Sequence, residues 1–219
     1  MRTKFSSELM ALTDELAHMA RLTHEACERA AAALAGSDLT AAYEVFALEE
    51  KVEIEHAKCE DRSVILLALE APVARDLRHV VTAMQIADDL LAVSRALSRV
   101  ADVVVRRYPN PAAPPHVLAL LGEISSAVTH LVDTAVRVIV AQNPPRDRPL
   151  VPRDENVERL RVLLVELAAD DGWEHGSAMA IDIALLAHHF ERGADHCVRI
   201  GRLIRFFHTG IPLYAQTEA

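Results

Sequence analysis

Two carboxylates four residues apart, Glu191 and Asp195, are the side chains of this chain with the clearest capacity for chemistry. They lie in a long stretch with the composition of a helix, and residues four apart lie on the same face of a helix, one above the other. Oxygen ligands placed in this way could bind one metal ion. The same spacing also fits a solvent-facing helix on which Asp195 pairs with Arg199 one turn further on. The surrounding elements must decide between the two interpretations.

The helix that carries this pair has a counterpart in the first half of the chain. Segments 85–95 and 185–195 both have the pattern of the centre of a long helix. In that alignment Leu91 takes the place of Glu191, at an offset of 100 residues (191 − 91). Self-similarity at a fixed offset indicates a duplicated structural unit.

A second acidic motif supports the duplication. Glu49 and Glu53 correspond to Asp154 and Glu158 at an offset of 105 residues (154 − 49), so the connection that follows is shorter in the second half. Upstream of this motif, each half contains an amphipathic run with the three-to-four spacing of a helix that has one apolar face. The chain therefore consists of two halves with three helices each.

Composition indicates an all-α fold. Good helix formers dominate, only 4% of the residues are aromatic and only 7 are Gly. Pro- and Gly-bearing breaks divide the sequence, with Asp38 as a cap for the second helix and Pro72 in the first turn of the third. We predict two tandem three-helix-bundle repeats, six long antiparallel helices in all, because short turns between amphipathic helices favour antiparallel neighbours. The helices are expected at 5–35, 38–70, 72–107, 116–142, 153–170 and 175–209.

The repeat boundary is placed in a Pro-rich stretch that begins after residue 108. The first repeat is 1–108 and the second is 109–219, with 109–152 holding the Pro-rich boundary and the first helix of the second repeat.

Charge and cysteine content narrow the class of protein. A formal net charge of −9 argues against binding to nucleic acid, whose phosphates need a basic surface. No apolar run approaches the ~20 residues that span a bilayer, and the first five residues lack the apolar core of a secretion signal. The 3 cysteines are unclustered and are expected to be reduced core residues. We therefore expect a cytoplasmic protein that contacts a membrane only through partners.

Sequence motifs of known enzymes are not found. The chain has no Gly-rich phosphate loop, no nucleophile elbow and no catalytic Cys/His setting, so we expect a protein that is not an enzyme. One alternative starts from Glu53 and His56, whose spacing is half of a ferritin-like di-iron motif. Asp76 and His79 are the nearest second half, and they fall in a junction segment.

The chain resembles the PhoU family of bacterial phosphate-uptake regulators. The resemblance depends on the first five residues, the Leu-Leu-Ala-Leu-Glu-Ala-Pro-Val-Ala-Arg-Asp-Leu-Arg junction at 66–78, the Gln-Ile-Ala-Asp-Asp-Leu segment at 85–90, and Glu-Arg-Gly-Ala-Asp-His at 191–196. It covers nearly the whole chain and implies two three-helix repeats, which agrees with the pattern of breaks. It also implies a non-enzymatic, homodimeric regulator that relays the state of a phosphate ABC transporter, through its ATPase, to a membrane sensor histidine kinase.

Members of the PhoU family carry an acid, three residues, acid motif on two helices of each repeat, and in some members these motifs hold iron or similar ions. In this chain the second repeat keeps both motifs. The metal-site residues implied by the resemblance are Asp154, Glu158, Glu191 and Asp195. We expect that no cofactor is required and that any bound iron, or other divalent or trivalent ion, lies there.

The first repeat keeps only one of its two acidic motifs. Leu91 and Arg95 stand where the family has Glu and Asp, and a hydrocarbon and a cation cannot ligate a metal ion. We therefore expect this site to be lost. His188 could add a ligand in the second repeat, whereas His196 follows Asp195 by one residue and points about 100° away. A hydrogen-bonded position on the helix is the more common role for either histidine.

Three functions remain open at this point. The first is a phosphate-uptake regulator that represses the starvation response when phosphate is plentiful. The second is a metal-binding helical bundle for storage or redox work, and the third is a helical scaffold whose partners have diverged.

Overall fold

Six long helices make up nearly all of the computed structural model, which describes residues 2–141 and 149–216, with side chains from residue 5 onward. The helices are α1 (Arg2–Gly36), α2 (Leu39–Glu70), α3 (Ala74–Arg107), α4 (Pro115–Val140), α5 (Glu155–Ala169) and α6 (Ser177–Thr209), followed by a 3₁₀ turn at Leu213–Ala215. No strand occurs within the described ranges. The predicted all-α fold with six helices is confirmed. The predicted end of the fourth helix at residue 142, and residues 143–148 of the second Pro-rich break, lie outside the described residues.

Local sequence signals account for several helix ends. Asp38 caps α2 as predicted, its Oδ1 accepting hydrogen bonds from the backbone N–H groups of Thr40 at 2.8 Å and Ala41 at 3.2 Å. Gly210 ends α6 in the left-handed conformation with φ of 75°, which Gly adopts without steric cost. The third helix begins two residues later than predicted, so Pro72 lies in the connection and not in the first turn.

The two halves pack closely against each other. Helices α1, α2 and α3 pack together, as do α4, α5 and α6, and the halves meet where α1 packs on α4 and α3 packs on α6. The contact between α3 and α6 is as extensive as the contact between α3 and α2 within the first half. One continuous apolar core therefore connects both halves.

Helix α4 differs from the expectation that no apolar run approaches the length that spans a bilayer. With 26 residues it is long and apolar enough, by length and composition alone, to cross a membrane. In the structure it packs on α1, α5 and α6, and Leu121, Ile124 and Val128 on its inward face are buried. Its apolar face is thus part of the core of the helical bundle.

The cysteines are free and buried, as the sequence predicted. Burial raises the pKa of the Cys27 thiol to about 12 and that of Cys59 to about 12. It raises the pKa of Cys197 as well. Thiols held neutral in an apolar core are unreactive, so these residues serve packing.

Candidate functional site

The four predicted metal ligands lie on two neighbouring helices of the second half. Asp154 is the N-cap of α5 and its Oδ1 accepts a hydrogen bond from the backbone N–H of Asn156 at 2.9 Å. Glu158 lies in the first turn of the same helix. Glu191 and Asp195 follow each other at a spacing of one turn on α6, which packs along α5. The fold therefore brings both acidic motifs to one helix pair.

Arg161 stands between the two central carboxylates. Its Nη2 lies 2.8 Å from Glu158 Oε1 and its Nε lies 2.8 Å from Glu191 Oε1. A hydrogen bond from Arg161 lowers the pKa of Glu158, whereas burial, followed by the influence of Glu158, raises the pKa of Glu191. The two acids are thus close enough to influence each other, and the guanidinium offsets their repulsion.

The outer two acids are directed to other partners. Asp195 Oδ1 lies 3.9 Å from Arg153 Nη2, and Asp154 serves as a helix cap. Nδ1 of His188 lies 3.9 Å from Glu191 Oε2. No group of three or more acidic, histidine or cysteine side chains in the described ranges is arranged to hold a metal ion. As arranged here, Glu158, Glu191 and Asp195 each have an arginine within ion-pair distance, and Asp154 caps α5.

The corresponding place in the first half is neutralised by an ion pair. Arg95 Nη2 lies 2.7 Å from Glu53 Oε1, and Leu91 is buried. Nε2 of His56 lies 2.8 Å from Asp88 Oδ1. Glu53 and His56 therefore have different partners and do not converge as a di-iron motif requires.

The other half of the di-iron alternative is also engaged elsewhere. Nε2 of His79 lies 3.1 Å from Thr13 Oγ1, on α1. Partial burial lowers the pKa of His79, which favours the neutral imidazole. Nothing in the described contacts brings this histidine toward Glu53.

A buried aspartate that the sequence analysis missed joins the two halves. Asp89 on α3 is 1% exposed, and its Oδ1 lies 2.6 Å from Arg199 Nη1 and 2.8 Å from His196 Nδ1, both on α6. The alternative in which Asp195 pairs with Arg199 is therefore not found, because Arg199 pairs with Asp89 across the helix interface and Asp195 lies nearest Arg153. His196 points away from the acidic face, as predicted, and forms a hydrogen bond.

A second buried aspartate, on α6, pairs with arginines of α3 across the same interface. Asp182 on α6 accepts a hydrogen bond from Arg107 Nε at 2.7 Å and from Arg106 Nη1 and Nη2 at 3.2 Å each. Its side chain is only 6% exposed. The sequence signal for Asp182 is an acid within an apolar stretch of helix, whereas Asp89 directly follows Asp88 and carries no comparable signal.

Comparisons with known proteins agree with the all-α fold. A family model described as PhoU domain matches residues 16–104. The chain is 34% identical to the phosphate-specific transport system accessory protein PhoU homolog 2 of Mycobacterium tuberculosis, over 96% of this chain and 99% of that protein. The crystal structure of PhoU from Pseudomonas aeruginosa is similar with a TM-score of 0.82 at 22% identity, over 94% of this chain and 99% of that one. PhoU from Streptococcus pneumoniae, a phosphate transport system regulatory protein, has a TM-score of 0.77 at 20% identity, over 94% and 97% of the two chains.

Proposed function

The chain belongs to the PhoU family, and on this premise we propose that it couples a phosphate ABC transporter to a membrane sensor histidine kinase. In this role it contacts the transporter ATPase and holds the phosphate-starvation response off when phosphate is plentiful. The observation that carries the proposal is the 34% identity over 96% of the chain to an accessory protein of phosphate transport. A match of this extent covers both helical halves and is not limited to one shared motif.

The proposed mechanism is protein contact and does not include catalysis. Long rigid helices offer extended surfaces, and the junction of α2 and α3 keeps Leu69 and Val73 accessible, at 77% and 74% exposure. Accessible apolar side chains of this kind are typical of surfaces that contact other proteins. We place the protein in the cytoplasm as a homodimer, at the membrane only through its partners.

Co-purification tests the contacts directly. The full chain, carrying an affinity tag, is expressed in its own host, and transporter ATPase and sensor kinases are detected in the eluate after growth in phosphate-rich medium. The proposal predicts that both are enriched relative to a tagged, unrelated helical protein expressed at the same level. Recovery of neither partner, with the tagged protein shown to be folded, would favour the diverged scaffold.

Gene deletion tests regulation independently of complex stability. Loss of the regulator should leave the transporter genes switched on in phosphate-rich medium, and transcript levels are the readout. The strain must lack a second copy of the regulator, and re-expression of the chain should restore repression. Unchanged repression in such a strain would contradict the proposed role.

Metal binding in the second half is a second candidate function. We propose that any bound ion lies among the four acids on α5 and α6 and displaces Arg161. Support comes from the partly buried Glu191, whose pKa is raised by burial, and from its proximity to Glu158. A cation would relieve the repulsion within such a carboxylate cluster, as Arg161 does in its absence.

A further inference from the structure

A groove of about 640 Å³ lies between α3 and α6, and Glu53 and His56 of α2 form one edge of it. Its charged lining consists of three arginines and two acids, together with four histidines. The arginines are Arg95, Arg99 and Arg192, and the acids are Glu53 and Asp88. The groove thus carries one more arginine than acids (3 − 2), on a chain whose formal net charge is −9.

Both acids of the groove are already paired. Glu53 pairs with Arg95 at 2.7 Å, and Asp88 pairs with His56 at 2.8 Å. Arg99 and Arg192 have no carboxylate partner among the residues that the structure describes. The groove therefore holds two cationic side chains whose charge the described part of the protein does not neutralise.

The internal repeat explains why Arg99 lacks a partner. Helices α3 and α6 are antiparallel, and the offset of 100 residues relates Asp89 to His189 and Arg199 to Arg99. By this repeat, the pair of Asp89 and Arg199, which are 2.6 Å apart, has the pair of His189 and Arg99 as its counterpart, and both members of the second pair line the groove. Burial, then His188, then the charge of Arg99 lower the pKa of His189, so the ring opposite Arg99 is neutral. Arg199 thus faces the carboxylate of Asp89, whereas Arg99 faces a neutral histidine at the equivalent position.

Arg192 is held at the groove by a chain of hydrogen bonds that begins in the core. Asp89 Oδ1 lies 2.8 Å from Nδ1 of His196, so this nitrogen carries the proton and donates it. Nε2 of His196 is then left to accept a hydrogen bond from Arg192 Nη2 at 3.3 Å. The buried aspartate thereby orients an exposed guanidinium, which lowers the entropic cost of using it for binding.

We propose that this groove binds a phosphate group between Arg99 and Arg192, either as free orthophosphate or as part of a small phosphorylated metabolite. A phosphate carries about −1.5 to −2 charges near pH 7, which matches two unneutralised guanidinium groups. Planar guanidinium groups bind phosphate oxygens in a bidentate manner, with charge-assisted hydrogen bonds. The volume exceeds that of a single phosphate ion and leaves room for an organic portion.

Calorimetric titration of the isolated full chain tests the site without any transporter or kinase. Orthophosphate is titrated in one arm and adenosine diphosphate in another, both in buffer whose ionic strength is fixed with sodium chloride. Saturable binding in the first arm identifies free phosphate as a ligand, and saturable binding in the second arm alone identifies an organic phosphate. Absence of saturable binding in both arms would overturn the proposal.

Charge-matched variants locate the binding. R99Q/R192Q should weaken binding by about tenfold or more, since each lost charge-assisted hydrogen bond accounts for roughly a factor of ten. R21Q/R159Q removes the same charge from two exposed arginines outside the groove and should keep the affinity within about twofold. Far-UV circular dichroism and Tm verify that both variants are folded. Equal weakening in both pairs, or undiminished binding by R99Q/R192Q, would refute the site.

Discussion

Replacing Asp89 by Asn removes one buried charge at the interface of the two halves and keeps the shape of the side chain. Asp89 is 1% exposed and accepts two charge-assisted hydrogen bonds on one oxygen, at 2.6 Å from Arg199 and 2.8 Å from His196. Its second oxygen, Oδ2, is buried without a partner, so an amide NH₂ in that place would have an unpaired donor. Hydrogen bonds to charged groups contribute about 1.5–3 kcal/mol each. Arg199 is 43% exposed and His196 19%, so solvent screening reduces the effect. We expect D89N to lower the free energy of unfolding by about 2–3 kcal/mol in total.

The adjacent Asp88 supplies a matched control. Its side chain is 66% exposed and, within the described residues, its ion-pair partner is His56, so D88N should cost about 0–1 kcal/mol. For a chain of this size 1 kcal/mol corresponds to about 2–4 °C in Tm, which gives a decrease of about 4–12 °C for D89N. Urea unfolding followed by circular dichroism, together with calorimetry, measures both variants. A decrease for D89N no larger than that for D88N would refute the assignment of Asp89 as the buried link between the halves.

Three further predictions follow from packing, burial and the acidic surface. Gly201→Ala should lower the free energy of unfolding by about 1–3 kcal/mol despite the better helix propensity of Ala, because a Cβ there would lie 2.8 Å from the backbone N of Val151. Gly193→Ala is the control: its Cβ would meet a side-chain methyl at 3.5 Å, so this variant should be neutral or slightly stabilising. Equal urea midpoints for the two variants would contradict this prediction. Burial lowers the pKa of His79 below 6.5, so the unfolded chain takes up the proton first and the folded state loses stability as the pH falls below about 6.5. H79Q should therefore reduce the dependence of Tm on pH between about pH 7.5 and 5.5. An unchanged slope of Tm against pH would count against this prediction. E191Q/D195N should remove any iron or manganese that co-purifies with the wild-type chain after growth with both metals, as measured by elemental analysis, and a metal-free wild-type protein would refute the metal proposal.

The helices could be predicted from the sequence because their ends depend on local chemistry. Asp38, the Pro-rich stretch after residue 108 and Gly210 act within one turn of their own position. The start of α3 was misplaced because Ala71 adopts a left-handed conformation with φ of 43° and Val73 stays extended, so the chain needs three residues to turn.

The acidic surface was only partly predictable. The resemblance placed four acids on two helices, and the fold brings those helices together. Arg161 was missed, although its spacing of three residues from Glu158 on one helix is a local signal for an ion pair. That Arg161 also reaches Glu191 depends on the packing of α5 against α6, which no spacing rule contains.

The contacts between α3 and α6 show why pairing across a bundle interface escapes sequence reasoning. Asp89 pairs with Arg199 and Asp182 pairs with Arg106 and Arg107, at separations of 110, 76 and 75 residues. Each half gives one buried acid to arginines of the other half, so both contacts fit one antiparallel register. Since a helix rises about 1.5 Å per residue, the 17 residues from Asp182 to Arg199 place the two contacts about 25 Å apart along α6. A shift of α6 by one turn would leave both acids buried without their charged partners, and this penalty at two distant points specifies the register more strictly than apolar packing alone.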